Sequence, residues 1–293
     1  MPWTIMFLEV SIQRQRRWNM EFKDLLASQA ALPSIPRVIA LLLSELGREE
    51  PDLKKVSQLV STDPALTLRL LRIANSAQYQ LSKKIGSVSE ALALLGTNQL
   101  RDIAMAAAIA GAFRNVPGVD LRQFWRYSLD VAKLSRLLAG MVRLSQPIAF
   151  TAGLIHAVGE LVMCVGMPSE LASLAPDSSP LSLKRAKAER RLLGYCYADV
   201  GAAFAQSWQF PQAIVDALGH QHAPFENGVY EPLAGVLHLA AWRARANEAG
   251  LTAEELVDNF PDAVGLALAI DFDTALQQDA IDWTSNQEAV VLV

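Results

Sequence analysis

The 293-residue chain is 52% hydrophobic and 19% charged. That supplies enough apolar surface to offset chain entropy and excludes disorder as a description of the whole. The two cysteines, Cys164 and Cys196, exclude a disulfide scaffold and a four-cysteine zinc module, and they suit a reducing compartment. The net charge of −4 hides an asymmetry: residues 1–245 carry a net +6, whereas residues 246–293 hold ten acids and no Lys or Arg.

The first twenty residues carry Trp3, Trp18 and the basic cluster Arg14, Arg16, Arg17 without a helical pattern. They read as a basic arm or as an extension from an upstream start codon. The short apolar run Ile5–Val10 precedes those arginines instead of following them, so it is no secretory signal. Helical periodicity begins with Phe22 and Leu25. Pro36 opens an apolar stretch, Val38–Leu46, that Gly47 stops. Asp52 is placed to cap a helix through Val56, Leu59 and Val60. Asp63-Pro64 supplies the N-cap and first residue of a helix running to Tyr79. Ser87-Val88-Ser89-Glu90 has capping-box spacing, with Gly96 as its stop, and a further helix is predicted from Asn98 to Phe113.

Asn115-Val116-Pro117-Gly118 is the clearest punctuation and marks a module boundary. Long apolar helices are predicted over residues 121–143, 148–167, 183–193, 198–208, 211–221 and 231–248. The longest uncharged windows, Leu144–Gly159 and Val200–Val215, have 16 residues each, against roughly 20 for a membrane span. They read as buried helices of a soluble cytoplasmic protein. Thr252-Ala253-Glu254-Glu255 again has capping-box spacing, and Leu256, Val257, Phe260 and Val264–Ile270 offer surface to bury. Residues 252–283 are therefore predicted to be mostly helical and packed on the basic body; a docking or autoinhibitory acidic segment is the other reading. No segment alternates with period two, and no fixed repeat is present, so the fold class is all-α. The chain divides into a basic arm (1–20), an N-terminal helical bundle (21–116), a helical core (117–250) and an acidic helical segment (251–293).

Four stretches together resemble the HDOD family, bacterial signalling modules related to HD-domain phosphohydrolases. They are Leu32-Pro33-Ser34-Ile35-Pro36; the run from Asp63-Pro64 through Leu70-Leu71 to Ala74-Asn75-Ser76; Ala91–Gly96 followed by Leu100-Arg101; and Gly153-Leu154-Ile155-His156 with Gly201-Ala202 and His222-Ala223-Pro224. The resemblance covers roughly residues 22–250 and implies a helical bundle leading into an HD-like core. Asp63, Pro64, Asn75, Ser76 and Gly96 are its structural signature. Asn75 and Ser76 are expected to bond the exposed groups at a helix end and fix the turn that follows.

The catalytic HD relatives need His and carboxylate ligands converging from several helices on one or two metal ions. The resemblance implies that most of those positions have changed. Tyr127 stands where a His would precede Ser128. His156 is followed by Ala157, so the carboxylate of the His-Asp doublet is gone. Tyr197 replaces another His, the His-His pair reads Gln221-His222, and the last Asp would fall near Ala241. Only His156 and His222 remain as vestigial candidates, and two imidazoles without a carboxylate make a weak site for a hard metal ion. No metal and no cofactor are expected. Tyr127, His156, Tyr197, Gln221 and His222 are predicted to converge as a hydrogen-bonded cluster. They either satisfy one another in the core or line a pseudo-pocket that holds a small ligand, such as a nucleotide, without turnover.

No phosphate-cradling glycine loop, nucleophile elbow or spaced Cys/His arrangement supports another enzyme. The run Lys184, Arg185, Lys187, Arg190, Arg191 reads as a solvated helical face, and with a pI near 5.6 it gives little support to nucleic-acid binding. The sequence reading is a non-enzymatic regulatory module that acts through a signalling protein partner. A residual metal-dependent phosphohydrolase is the first alternative and a nucleic-acid-binding regulator the second.

Overall fold

In the computed structural model the described residues are 22–27, 37–48, 50–75, 84–113, 115–174, 182, 184–208, 210–225 and 231–276. Among them the chain is helical throughout, with no strand. The N-terminal elements are α1 (Phe22–Ala27), α2 (Arg37–Leu46), α3 (Leu53–Ser61), α4 (Pro64–Ala74) and α5 (Val88–Ala112). The core follows with α6 (Leu121–Met141), α7 (Gln146–Ile155), α8 (Val158–Gly166), α9 (Pro168–Leu171), α10 (Arg185–Leu193), α11 (Tyr197–Ser207), α12 (Gln212–His220) and α13 (Pro232–Glu248). Three short helices close the described chain: α14 (Ala253–Asp258), α15 (Asp262–Leu268) and α16 (Phe272–Leu276).

Local chemistry places the helix ends. The Asp52 carboxylate accepts from the Lys54 and Lys55 amides, and the Asp63 carboxylate accepts from the Leu66 amide at 3.1 Å. Asn75 ends α4 as a clamp: its amide donates to the Leu71 and Ile85 carbonyls, and its oxygen accepts from the Ile85 amide, each at 2.8 Å. It thereby fastens the helix end to a residue ten positions on. Ser76, the Leu32–Pro36 motif and residues 1–20 lie outside the described residues. Gly96 does not stop its helix outright. With φ 76° and ψ 170° it kinks α5 and lets the chain continue to Ala112.

Two apolar clusters result. One gathers Ile39, Leu42, Leu46, Val56, Val60, Leu66, Leu70 and Leu100 from the N-terminal helices; the larger joins α6 through α13. Helix α5 serves both, since Ile103 and Ala107 face the first and Met105 and Ala106 the second. The boundary read at residue 116 therefore has a shared wall, not a linker, on its N-terminal side. Trp208 packs against both clusters, and Arg136 ties α6 to α5 by pairing with Asp102 while stacking 3.9 Å from the Phe150 ring centre.

The apolar stretch Gln146–Gly166 holds an 18-residue window of mean hydropathy 1.9, 89% of which is buried in this core. It is two helices, not the single one predicted, because the chain breaks at His156-Ala157. The acidic segment packs on α13: Phe260 lies edge-on to Trp242 (5.3 Å) and Phe272 (5.5 Å), and Leu268 covers Gly235. Ile281 and Trp283, expected to continue this packing, fall outside the described residues.

Glycines bring the core helices close enough to build a site. A Cβ on Gly153 would meet the Ala132 Cα at 2.7 Å, so α7 lies directly on α6. A Cβ on Gly159 would meet the Tyr197 carbonyl oxygen at 2.0 Å and the Gly201 nitrogen at 2.7 Å. Those neighbours are backbone and cannot swing away. Gly159→Ala is expected to cost at least ~2 kcal/mol in urea unfolding. Gly111→Ala, in a helix with open space around it, is expected to be neutral or stabilising by up to ~1 kcal/mol. Equal effects of the two would refute the close crossing.

Candidate functional site

The site forms where the break between α7 and α8 faces α6, α11, α12 and α13. His156 caps the C-terminus of α7 and is fully buried. Its Nδ1 lies 2.7 Å from the Gly153 carbonyl oxygen, which can only accept. Nδ1 therefore carries the proton, and Nε2, 2.8 Å away, accepts from the Tyr127 hydroxyl. Gln221, just past α12, donates its amide to the His156 carbonyl at 2.9 Å and to the Leu218 carbonyl at 3.0 Å. His238 on α13 donates Nδ1–H to the Gln221 carbonyl at 2.8 Å. Tyr127, His156 and Gln221 thus form one hydrogen-bonded chain.

Tyr197 and His222 join it differently from the expectation. Their rings are 5.5 Å apart, yet the Tyr197 hydroxyl bonds neither imidazole. It accepts from the Arg245 guanidinium at 3.0 Å, while the Tyr197 amide donates to Glu189 at 2.8 Å. The physical reason is reach: Arg245 sits one helical turn beyond Ala241 on the same face of α13, and its long side chain extends into the centre of the cluster. The guanidinium carbon lies 5.4 Å from the Tyr197 ring centre and 5.8 Å from that of Tyr127. Arg245 also pairs with the fully buried Glu160 of α8 at 3.3 Å. A second buried pair, Arg185–Glu189 at 2.5 Å, completes the shell. Sequence reading missed Arg245, Glu160, Glu189 and Arg185. The available signal was a cation among the apolar residues of Leu237–Ala246, at i+4 from a position implied to hold a ligand. The basic run on α10 needs a matching correction: Lys184, Lys187, Arg190 and Arg191 are exposed, but Arg185 is turned inward and 4% exposed because it neutralises Glu189.

Burial sets the protonation states. It pushes His156 and His222 down to about 3, with Arg245 adding repulsion, so both imidazoles are neutral near pH 7. It pushes Tyr197 up to about 12 and Tyr127 higher still, so both phenols keep their protons. Burial also raises Glu160, opposed by the positive charges of Arg245 and Arg185. For Arg245, burial works against the charge, but the Tyr127 and Tyr197 oxygens and Glu160 outweigh it and hold the guanidinium above its ordinary value. The result is a buried guanidinium whose charge is met by the Glu160 carboxyl and surrounded by neutral phenols and imidazoles. The Nε2 of His222 has no hydrogen-bond partner among the described residues.

The HDOD domain model matches residues 32–224, and the chain belongs to the HDOD family. It is similar to the crystal structure of a proposed phosphohydrolase from Shewanella amazonensis SB2B (30% identity, 92% of this chain, 98% of that one, TM-score 0.76). It shares its fold with a proposed signal transduction protein from Marinobacter aquaeolei VT8 (20% identity, 95% of this chain, 64% of that one, TM-score 0.67). It is also 33% identical over 103 residues to the cyclic di-GMP phosphodiesterase CdgJ of Vibrio cholerae, which is 35% of this chain and 23% of that protein. The chain spans 41%, 26% and 23% of the lengths of the three curated relatives it matches.

Two predictions follow from the charge arrangement. Arg245→Met, which keeps bulk but leaves Glu160 with a diminished counter-charge, is expected to lose ~3–5 kcal/mol of stability. Adding Glu160→Gln to that variant is expected to restore a large part of the loss; an additive double variant would contradict the pairing. The pH dependence has a definite sign. His156 binds a proton in the unfolded chain below its ordinary value of 6.5, but in the folded chain burial holds it neutral down to about 3. Its contribution is therefore present above 6.5 and lost as pH falls through that window. Between about pH 6 and pH 4, wild-type stability is expected to fall more steeply than that of His156→Gln, by ~1.4 kcal/mol per pH unit. Parallel curves would show that His156 titrates normally.

Proposed function

We propose that this HDOD domain is a non-catalytic, cytoplasmic regulatory module that acts on a signalling partner through protein contacts. The observation that carries this reading is the buried Arg245 guanidinium, which stands among the positions that the family resemblance equates with metal ligands. The residues present do not fit a catalytic metal. His156 has both ring nitrogens engaged, Ala157 and Ala241 offer no donor, and Tyr127 and Tyr197 are protonated phenols. Among the described residues no group of three or more His, Cys, Asp or Glu side chains is arranged to hold a metal ion. A cation brought into this space would also meet the fixed positive charge of Arg245. The family membership supports a signalling role, and a net charge of −4 gives little support to contact with nucleic acid.

The likeness to a phosphodiesterase favours a second reading, a residual metal-dependent phosphohydrolase, against which Ala157, Ala241 and Arg245 stand. The two are separated by turnover. Purified protein incubated with Mg²⁺ or Mn²⁺ and with cyclic di-GMP or a phosphomonoester is expected to release no more product than His156→Ala does. Metal-dependent turnover that His156→Ala abolishes would overturn the proposal.

A further inference from the structure

The acidic segment contains a helix left uncovered by the described residues. Thr252 and Glu255 close a capping box at the start of α14, yet none of its six residues is buried. So short a helix is marginal alone, since isolated helices need roughly 12–15 residues to hold in water. Glu254, Val257 and Asp258 share its outer side at i, i+3 and i+4, and Val257 is 58% exposed. The next helix repeats the arrangement: Leu266 on α15 is 85% exposed and stands one turn after the exposed Asp262. Val264 and Leu268 are buried, so the segment is anchored from one side. Its other side offers apolar side chains with an acidic rim, and no Lys or Arg follows Arg245 to neutralise that rim.

The matching surface lies on the same chain. We propose that a second copy of this protein covers the exposed side of α14 and α15 with the outer face of its α10, and that two such contacts close a symmetric dimer. Arg185, Ala186, Glu189 and Leu193 turn one side of α10 into the core, which places Lys187 and Arg191 on the other. Arg190 pairs with Asp199 of its own copy at 3.5 Å, whereas Lys187 and Arg191 form no ion pair among the described residues. They stand at i and i+4, the spacing of Glu254 and Asp258, so the two pairs can lie opposite one another along two helices. Leu192, exposed beside Arg191, supplies an apolar side chain to meet Val257. Like charge forbids α14 on α14 or α10 on α10, so the contact joins unlike faces and a two-fold axis makes it twice. Each contact then needs to cover only about 400 Å² per partner to reach the roughly 800 Å² of a standard interface. Exposed ion pairs hold little by themselves; the apolar side chains supply attachment and the charges set the pairing. This inference goes beyond the proposed function and does not depend on it.

The test is sedimentation velocity on the full chain at about 50 mM and about 500 mM salt. The expected result is a dimer at low salt whose Kd rises at least about tenfold at high salt. Lys187→Glu with Arg191→Glu, and separately Glu254→Lys with Asp258→Lys, are each expected to raise the low-salt Kd about tenfold, and all four together to restore it to within about threefold. A chain that stays monomeric at about 200 μM in low salt, a dimer that neither reversal weakens, or a fourfold variant as weak as its parents would overturn the proposal. All four positions are exposed. If a reversal nonetheless fails to fold, an unchanged Kd in Val257→Ser with Leu266→Ser overturns it equally.

Discussion

A guanidinium cannot be taken out of water without acceptors arranged around it, and the centre of this domain is organised by that constraint. Arg245 is 5% exposed, and its surroundings come from three separate helices: Tyr197 from α11, Glu160 from α8 and the Tyr127 ring from α6. Each was a free choice of residue only until the arginine was present. Afterwards, removing any one leaves a buried charge or a buried hydroxyl without its partner, which costs more than the interaction itself contributes. The same logic extends outwards, because Glu189 holds the Tyr197 amide and is itself held by Arg185.

That network is possible only because the helices approach so closely. Gly153 and Gly159 remove the side chains that would separate α7 from α6 and α8 from α11. The break between α7 and α8 then turns His156 inward, where its Nδ1 finds the Gly153 carbonyl and its Nε2 the Tyr127 hydroxyl. Backbone proximity thus precedes side-chain chemistry: the imidazole tautomer follows from where one carbonyl lies, and the phenol's role as donor follows from the tautomer. A site built on this order is closely packed but not fully satisfied: Glu160 Oε2, Gln221 Oε1, His222 Nε2 and Arg245 Nε have no hydrogen-bond partner among the described residues.

Much of the architecture was legible in the residues. Asp52, Asp63 and the Ser87–Glu90 box announce helix starts by hydrogen-bonding chemistry that acts over three residues, and the structure uses all three. Asn75 was readable as a helix-end residue, although its actual partner, Ile85, was not, because nothing local specifies a contact ten residues away. The break at His156 was hidden by an apolar run that continues through it. Convergence of Tyr127, His156 and Gln221 was legible only through family resemblance, since periodicity alone places each of them on a helix and says nothing of what it faces. Arg245 was the main omission. Charge counting treats a cation near the end of a helix as surface, whereas burial depends on acceptors contributed by residues 48 and 85 positions away in the chain.

One placement is central: a fixed positive side chain stands where the family resemblance implies metal ligands. A structure of the protein crystallised with excess Mn²⁺ and measured at an anomalous wavelength tests that placement most directly. The expected map shows the Arg245 guanidinium between the Tyr127 and Tyr197 rings, bonded to the Tyr197 hydroxyl and Glu160, with no anomalous peak within coordination distance of His156 or His222. An anomalous peak joining those two imidazoles, with Arg245 swung out of the cluster, would contradict it.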